Sequence, residues 1–297
     1  MSIQRSENIL GWVMASPWII GFSLIMVGPM IYSFILSFTE WNLLVAPRFA
    51  GLGNYHMMFF DDELVLHSLK VTLIYALGSI PLGLVGSLAA AMLLNASVKG
   101  LTFFRAIFYL PAVLSGVATA MLWRFIFSPE FGLLNTLLAL VGIQGPNWLM
   151  STEWVLPSLI IMSLWGVGGS MVIYLAALQG VPTQLYEAAV LDGANWAQRT
   201  RYVTLPMISP VILFQLVMGI IGNLQAFVSV AIMTGGGPAN ASLFYMLHLY
   251  RQGFEYFRMG YACALAWLLF FIILGLTLLV LRSSSAWVYY EAELKRG

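Results

Sequence analysis

The sequence predicts an all-α integral membrane protein with six transmembrane helices. Of its 297 residues, 61% are hydrophobic and only 8% are charged, whereas a typical soluble domain has about 25% charged residues. The mean hydropathy of +0.89 leaves too few polar side chains to cover a soluble globule. A membrane-spanning helix needs about 20 mainly apolar residues. Six segments qualify: roughly 10–38, 69–94, 103–127, 154–178, 207–233 and 260–281.

The first apolar segment, residues 9–38, is predicted to stay attached and to span the membrane. It is too long for the core of a signal peptide, and no small-residue cleavage site precedes its aromatic and polar end. Pro29, Pro81, Pro111 and Pro157 lie inside the first four spans. Because bilayer helices tolerate proline, we expect kinks or local loosening at these positions.

The distribution of Lys and Arg favours both termini on the cytoplasmic side. In that topology the outer ends of the spans carry five basic residues: Arg48, Lys70, Arg124, Arg251 and Arg258. The inner ends carry eight: Arg5, Lys99, Arg105, Arg199, Arg201, Arg282, Lys295 and Arg296. Cytoplasmic loops hold the excess of basic residues in membrane proteins, so this multi-pass orientation is the predicted one.

Nothing in the sequence supports catalysis, metal binding or nucleic-acid binding. The formal net charge of +1 lacks the strongly basic face that nucleic acid requires. The single cysteine, Cys263, excludes an internal disulfide and a Cys-based zinc site. His56, His67 and His248 fall in outer loops or at span ends without the spacing of a metal site or a triad. We therefore predict no enzyme activity, no catalytic residue and no metal.

A charged, turn-rich segment interrupts the apolar runs before the fifth span. It reads EAAVLDGANWAQRTRYVTLP from Glu187 to Pro206. Glu187 can meet a cation on a partner, and the small side chains of Ala188 and Ala189 let backbones approach closely. Gly193 permits a turn that a side chain would resist. Pro206 suits the first turn of the next span, and Leu185, Tyr186, Leu191 and Trp196 supply apolar bulk to fill a groove.

The spacing of this segment closely resembles the EAA loop of bacterial ABC importer permeases. Glu-Ala-Ala is followed after three residues by Gly193, then by aliphatic Val203 and Leu205-Pro206. The Asp-Gly-Ala and Gln198 are the form seen in the carbohydrate-uptake branch. The resemblance implies that residues 182–206, called the EAA loop below, form two short cytoplasmic helices that dock on a separate ATPase. The implied coupling residues are Glu187, Ala188, Ala189, Asp192, Gly193, Leu205 and Pro206.

The remaining motifs resemble the MalF-type subunit of carbohydrate importers nearly end to end. They include PWIIGFSLIMVGPMIYSFILSFTEWN (17–42), FAGLGNY (49–55), MTGGGP (233–238) and the Met-Gly-Tyr-Ala that begins the last span at 259. The resemblance implies one transmembrane permease domain over residues 1–297, with the maltose-permease-like fold of a type I importer. The chain differs in having no large domain inserted after span one and no extra N-terminal pair of spans.

The glycine-rich TGGGPAN (234–240) does not predict a phosphate-binding loop. A P-loop requires Lys and Ser or Thr after its glycines, and neither follows here; the sequence contains no Walker motif. We expect a tight outer turn. This chain is therefore predicted to bind no cofactor, and ATP and magnesium are expected on a partner ATPase.

Polar residues inside the spans offer two interpretations. Gln215, Gly219 and Asn223 recur every four residues and share one helix face. Buried amides in a bilayer often join helices to one another, which is the simpler interpretation. The alternative is a sugar site near the membrane midplane, where an indole stacks on the sugar ring and amides bond its hydroxyls. The candidate cavity residues are Ser115, Trp165, Gly166, Gly169, Gly219 and Asn223.

The resulting hypothesis is a permease subunit of an ABC importer in a bacterial or archaeal cytoplasmic membrane. Its substrate would be a sugar or oligosaccharide delivered by an extracytoplasmic binding protein. The expected partners are a second, MalG-type permease and two ATP-binding subunits. A permease for glycerol phosphate, a polyol or another polar solute stays open. A stand-alone secondary carrier or channel is disfavoured, because the clearest charges lie near span ends, whereas coupled carriers place ionisable residues in mid-span.

Overall fold

The computed structural model describes residues 3–95 and 100–289, with side chains from residue 10 onward, and these residues are mostly helical. The all-α prediction is confirmed. Lys99, Lys295 and Arg296 of the predicted inner charge set lie outside the described residues, as does the Arg5 side chain. The helices are α1 (Ile3–Phe22), α2 (Gly28–Leu36), α3 (Gly53–His56), α4 (Glu63–Leu94), α5 (Leu101–Val113), α6 (Gly116–Ile126), α7 (Leu133–Leu140), α8 (Val155–Leu164), α9 (Gly168–Gln179), α10 (Thr183–Leu191), α11 (Trp196–Arg199), α12 (Leu205–Met207), α13 (Ser209–Leu224), α14 (Val228–Met233), α15 (Tyr245–Tyr250) and α16 (Met259–Ser284).

Short non-α segments complete the secondary structure. Two strands, β1 (Thr39–Glu40) and β2 (Arg48–Phe49), pair antiparallel with Thr39 opposite Phe49. Five-residue π-helical turns lie between consecutive elements at Ser23–Val27, Met57–Asp61, Thr200–Thr204 and Arg251–Glu255. The first of these turns precedes Pro29, at the start of α2, so the helix is loosened there as expected.

The helices provide up to six membrane spans within the described residues. By length and composition, Leu10–Leu36, Glu63–Leu94, Ser209–Met233 and Met259–Ser284 can each cross a bilayer. The predicted third and fourth spans are instead bent pairs of helices. Helices α5 and α6 meet at an angle of 101°, and α8 and α9 meet at 44°. Six spans result if each bent pair is one span.

The two breaks have different local causes. Pro111 lies in the last turn of α5, Leu114 is extended, and the Ser115 hydroxyl then caps α6 by accepting a hydrogen bond from the Ala118 N–H at 3.2 Å. Between α8 and α9 the backbone stays helical but tightens. The Trp165 N–H donates to the Met162 carbonyl at 3.1 Å, and the Gly166 N–H donates to the Ser163 carbonyl at 3.2 Å. Such i−3 bonds shorten the turn and redirect the axis.

The other two prolines do not end their helices. Pro81 lies inside α4, which continues for 32 residues, and Pro157 occupies the third position of α8, where its missing N–H has no intrahelical partner to lose.

The chain divides into two compact units. The first comprises the described residues up to Glu63 together with Leu249–Phe270, and the second comprises the rest. In the first unit, α2 packs against the beginning of α16. The Trp267 indole N–H donates to the Ser33 hydroxyl at 3.2 Å, and its ring lies 4.7 Å from that of Phe34. A side chain at Gly260 would collide with the Thr39 carbonyl oxygen, so glycine permits this close approach.

The second unit contains two apolar clusters. One joins α4, α6, α8 and α14 through buried residues that include Tyr75, Phe127, Leu159 and Val230. The other joins the end of α4 to α9 through Ala91, Met171, Tyr174 and Leu178, and Ile208 also belongs to it. Tyr186 and Val203 of the EAA loop pack against this second cluster, so the loop is attached to the helices behind it.

Helix α9 approaches α5 most closely at Gly168, which generates a test of the packing. A Cβ added at Gly168 would collide with the Phe108 carbonyl oxygen, a backbone atom that cannot move aside. We expect Gly168→Ala to destabilise the protein by about 1–3 kcal/mol or more, as overpacking does. The measurement is the fraction that stays monodisperse in detergent as temperature rises.

Gly222→Ala is the matched control, because an added Cβ there has nothing within 4 Å. Alanine also has the higher helix propensity. Equal thermal stability of the two variants would contradict the close α5–α9 packing.

Candidate functional site

The first candidate site is the EAA loop, whose first helix ends in a well-defined cap. The Gly193 N–H donates to the Val190 carbonyl at 3.0 Å, and the Ala194 N–H donates to the Ala189 carbonyl at 2.8 Å. Gly193 itself has φ +79°. This is a Schellman motif, in which the residue after the C-cap adopts the left-handed conformation that glycine accepts without strain. The sequence-based turn at Gly193 therefore has a specific backbone cause.

The second helix of the loop begins with a capping box. The Gln198 N–H donates to the Asn195 side-chain oxygen at 3.0 Å, and the Asn195 N–H donates to the Gln198 side-chain oxygen at 2.8 Å. Two otherwise unpaired backbone N–H groups are satisfied reciprocally in this way. The loop thus contains two short helices, α10 and α11, joined by a rigid turn.

The two faces of the loop differ. On the inner face, the Tyr186 hydroxyl lies 3.0 Å from the Thr204 hydroxyl. The outer face exposes apolar side chains, with Leu191 88% and Trp196 66% exposed. Tyr186 was predicted to fill a partner's groove, but it packs inward because its ring joins the second apolar cluster.

The predicted coupling residues occupy distinct parts of the loop. Glu187, Ala188 and Asp192 are exposed, and Ala189 is half-buried. Leu205 and Pro206 form most of the three-residue helix α12 rather than the first turn of the span, which begins at Ser209. The Pro206 carbonyl accepts a hydrogen bond from the Ser209 hydroxyl at 2.6 Å, which links α12 to α13.

The second candidate site is a cavity of about 240 Å³ within the second unit. Helices α4, α8, α9 and α13 form its wall, and the Gly166–Val167 break between α8 and α9 faces it. The lining side chains are serines, amides and apolar residues; no charged residue is among the lining residues that the structure describes. The polar lining residues are Ser79, Ser87, Ser163, Ser170, Gln215 and Asn223.

Both cavity amides bond across helices. The Ser79 hydroxyl, on α4, donates to the Asn223 side-chain oxygen at 2.7 Å, and the Asn223 amide donates to the Gly219 carbonyl at 2.8 Å. Gln215 is 6% exposed, and its side chain exchanges two 3.3 Å hydrogen bonds with the Ser170 hydroxyl and carbonyl. The amides therefore hold neighbouring helices together while they line a polar space.

Three of the six predicted cavity residues lie on this wall: Gly166, Gly219 and Asn223. The other three lie elsewhere among the described contacts. Ser115 caps α6, the Trp165 ring sits 5.9 Å from that of Trp123, and a Cβ at Gly169 would contact Ala112. Trp165, Gly166 and Gly169 would share one face of a continuous helix, but the helix bends by 44° between α8 and α9.

The serines of the wall were missed by the sequence analysis, although a signal for some was present. Ser79, Gly83 and Ser87 recur every four residues on α4, the same spacing as Gln215, Gly219 and Asn223 on α13. Two stripes of small and polar residues thus face one cavity. Serine in a bilayer helix usually bonds its own backbone, as Ser79 does with the Tyr75 carbonyl at 2.8 Å, so single serines were weak indicators.

The glycine-rich segment 234–240 forms the expected tight turn. Gly235 and Gly236 have φ of +55° and +86°. The Ser242 hydroxyl lies 2.8 Å from that of Thr234 and closes the turn. Over the described part of the chain, no cluster of three or more His, Cys, Asp or Glu residues is arranged to hold a metal ion.

Comparison with known proteins defines the class. Residues 80–289 match the family described as binding-protein-dependent transport system inner membrane component. This range contains the EAA loop and every lining residue of the cavity except Ser79. The chain belongs to this family and is a permease, the translocation component of a binding-protein-dependent importer.

Individual relatives cover almost the whole chain. The probable ABC transporter permease protein YesP of Bacillus subtilis (strain 168) is 43% identical over 293 residues, covering 97% of this chain and 94% of that protein. The lactose transport system permease protein LacF of Rhizobium radiobacter is 34% identical over 286 residues, covering 94% and 95%. The resemblance to carbohydrate importer permeases is confirmed.

The fold has a solved counterpart. A chain of a bacterial alginate ABC transporter, crystallised with an alginate pentasaccharide-bound periplasmic protein, matches with a TM-score of 0.82 and 25% identity. The match covers 94% of this chain and 95% of that one. The ABC importer permease fold predicted from the motifs is therefore confirmed.

Gly193 generates the test of the EAA loop geometry. Asparagine adopts positive φ readily, whereas a β-branched residue does not. Because an added Cβ at Gly193 has nothing within 4 Å, conformation alone should decide the outcome. We expect Gly193→Asn to preserve the loop, Gly193→Ala to cost about 1 kcal/mol and Gly193→Val to cost more.

The measurement is hydrogen exchange of the Ala194 amide, whose bond to Ala189 closes the cap. Protection should fall in the order Asn, Ala, Val. Equal protection in all three variants would show that the left-handed turn is not required.

Proposed function

We propose that this chain is one of two permease subunits of a type I ABC importer that moves a saccharide across a bacterial or archaeal cytoplasmic membrane. Both termini would be cytoplasmic. A second, MalG-type permease, two ATPase subunits carrying ATP and magnesium, and an extracytoplasmic binding protein would complete the assembly. The main support is that one compact unit contains both the EAA loop and a cavity whose described lining is uncharged and offers hydroxyls and amides.

The exposed face of the EAA loop supports docking on an ATPase. It combines the carboxylate of Glu187 with apolar side chains such as Leu191 and Trp196. An apolar helix face beside a charge suits insertion into a groove with a cationic partner. The rigid turn at Gly193 and the attachment of Tyr186 to the core would transmit a pull on the loop to α9 and α13.

The cavity chemistry supports a saccharide as the substrate. Hydroxyls and amides offer donors and acceptors that match sugar hydroxyls. Sites that enclose a drug-sized ligand usually measure about 300–1,000 Å³, so an oligosaccharide would need further wall from the second permease. The names of relatives also support a sugar, since LacF is a lactose permease and the structural counterpart transports alginate.

The alternatives receive less support. Glycerol phosphate calls for a cationic contact, and the described lining residues of the cavity offer none. A polyol or another neutral polar solute stays compatible with the same lining. A stand-alone carrier or channel leaves the EAA loop without a role.

The docking role is tested with Glu187→Lys in the assembled importer. A cation placed where the docking site expects an anion creates a like-charge contact that costs several kcal/mol at an interface. We expect ATPase co-purified with the permease to fall by at least about tenfold, a loss of about 1.4 kcal/mol. Uptake into proteoliposomes should fall with it, while membrane insertion stays normal.

Glu153→Lys is the matched control, because Glu153 is also an exposed glutamate and lies in the loop before α8. It carries the same charge change away from the EAA loop. Normal ATPase attachment together with normal uptake in Glu187→Lys would rule out the docking role.

The cavity is tested with Asn223→Ala. Removing the Asn223 amide leaves a sugar hydroxyl unpaired, which costs about 1–3 kcal/mol, or roughly five- to 150-fold in affinity. Uptake is measured across limiting saccharide concentrations, and Leu278→Ala, at an exposed apolar position of α16, is the control.

Ser79→Ala separates substrate binding from helix packing. If the Asn223 amide only joins α13 to α4, the two alanine variants should lose similar thermal stability, and the double variant should lose little more. Substrate binding requires in addition a lower affinity in Asn223→Ala. Wild-type uptake in Asn223→Ala, or a defect confined to protein level, would refute the site.

A further inference from the structure

A second cavity, of about 200 Å³, lies behind the EAA loop. The end of α4 contributes Asn95, α10 contributes Tyr186, and the segment from α11 onward contributes Arg199 and Thr200. We call it the rear cavity. It lies at the joint between the loop and the spans, on the side where Tyr186 bonds Thr204. Its position makes it separate from the substrate cavity, since the two share no lining residue.

One residue that lines the rear cavity, Arg199, has a side-chain donor without an acceptor among the described residues. The Nε of Arg199 is buried, and none of the described residues supplies a hydrogen-bond acceptor for it. Buried guanidinium N–H groups are strongly favoured to have partners. The nearby Thr204 hydroxyl bonds the Tyr186 hydroxyl and the Arg199 carbonyl but makes no hydrogen bond with Nε. Within the described part of the chain, the Arg199 Nε therefore lacks the acceptor that its burial calls for.

A second arginine adds positive charge at the same end of α4. Arg105 donates through Nη2 to the Leu94 carbonyl at 2.9 Å, one residue before Asn95, and its buried Nε likewise has no acceptor among the described residues. Asn95 and Thr200 place an amide and a hydroxyl on the cavity wall. Guanidinium, amide and hydroxyl groups together suit an oxyanion with several acceptor oxygens.

From these contacts we propose that the rear cavity binds a phosphate oxyanion, with Arg199 as its main ligand. A volume of about 200 Å³ accommodates a phosphate group and its nearest atoms, and the Arg199 guanidinium supplies a cation that the described lining of the substrate cavity lacks. The occupant could be the phosphate of an anionic lipid headgroup or a free phosphate. The lipid source fits the inner leaflet, where anionic lipids concentrate near basic residues. This inference takes the cytoplasmic position of the EAA loop from the function proposed above.

An acidic side chain of the ATPase is the competing occupant, and the geometry disfavours it. A docked partner would cover the outer face of the loop, where Leu191 and Trp196 are exposed. Trp196 also lines the rear cavity, but Met92, Leu178 and Tyr186 on its wall belong to or pack against the second apolar cluster, which places the cavity on the inner side of the loop. Bound phosphate would link the EAA loop to the spans and so reduce the motion of the loop relative to them.

The test uses the assembled importer in nanodiscs of phosphatidylcholine, with or without phosphatidylglycerol. Native mass spectrometry counts the phosphatidylglycerol retained, and no saccharide is present, so the result is independent of the transported solute. One basic contact near an anionic membrane surface is worth about fivefold in binding. We expect Arg199→Gln to reduce retention by about fivefold and Arg199→Lys to restore part of it.

Arg201→Gln is the matched control, because Arg201 is exposed beside the Tyr202 ring and does not line the rear cavity. It should retain lipid as the wild type does. A second arm adds inorganic phosphate to phosphatidylcholine nanodiscs and measures thermal unfolding. Protection by phosphate that Arg199→Gln abolishes, without lipid retention, identifies free phosphate as the source and supports the site.

Unchanged lipid retention and unchanged phosphate protection in Arg199→Gln would overturn the proposal. The proposal would also be overturned if Arg199→Gln lost ATPase attachment in both lipid compositions but still bound the anion. That result would assign Arg199 to a carboxylate of the ATPase. Should Arg199→Gln fail to fold, Arg199→Lys and Asn95→Ala are measured in the same two arms. Full retention and protection in both would equally refute the site.

Discussion

The structure depends on one constraint, which is that backbone N–H and C=O groups inside a bilayer must be hydrogen-bonded within the protein. The constraint explains why the described residues are helical and why interruptions of the helices need local compensation. At the α5–α6 break the Ser115 hydroxyl caps the new helix. At the α8–α9 break, i−3 bonds keep the backbone paired while the axis turns by 44°. The second break borders the polar cavity, where irregular backbone is tolerated in membrane proteins.

The same constraint shapes the cavity. A polar side chain in a span is stabilised by a hydrogen-bond partner, and Asn223 and Gln215 bond to serines of neighbouring helices. These bonds fix the helices around the space that they line. Packing and substrate binding are therefore not exclusive interpretations of a buried amide: the bond to Ser79 holds Asn223 in one orientation, and orientation is what a binding site requires.

The EAA loop shows how local signals can specify a partner surface. A Schellman cap at Gly193 and a capping box at Asn195 make two short helices rigid without help from distant residues. Tyr186 then attaches the loop to the core and leaves the opposite face exposed. Rigid helices with one anchored and one free face are suited to carry the movement of a docked subunit into the spans.

The sequence by itself determined the membrane class, the positions of the spans and the EAA pattern, because hydropathy, length and local turn chemistry are properties of short segments. It also indicated the polar stripe through Asn223, since helical periodicity fixes which residues share a face. Only the tertiary structure decided what each face meets. The bend after α8 turned Trp165 toward Trp123, and the α4 stripe through Ser79 was placed opposite Asn223. Periodicity within one helix contains no information about the neighbour that the helix will face.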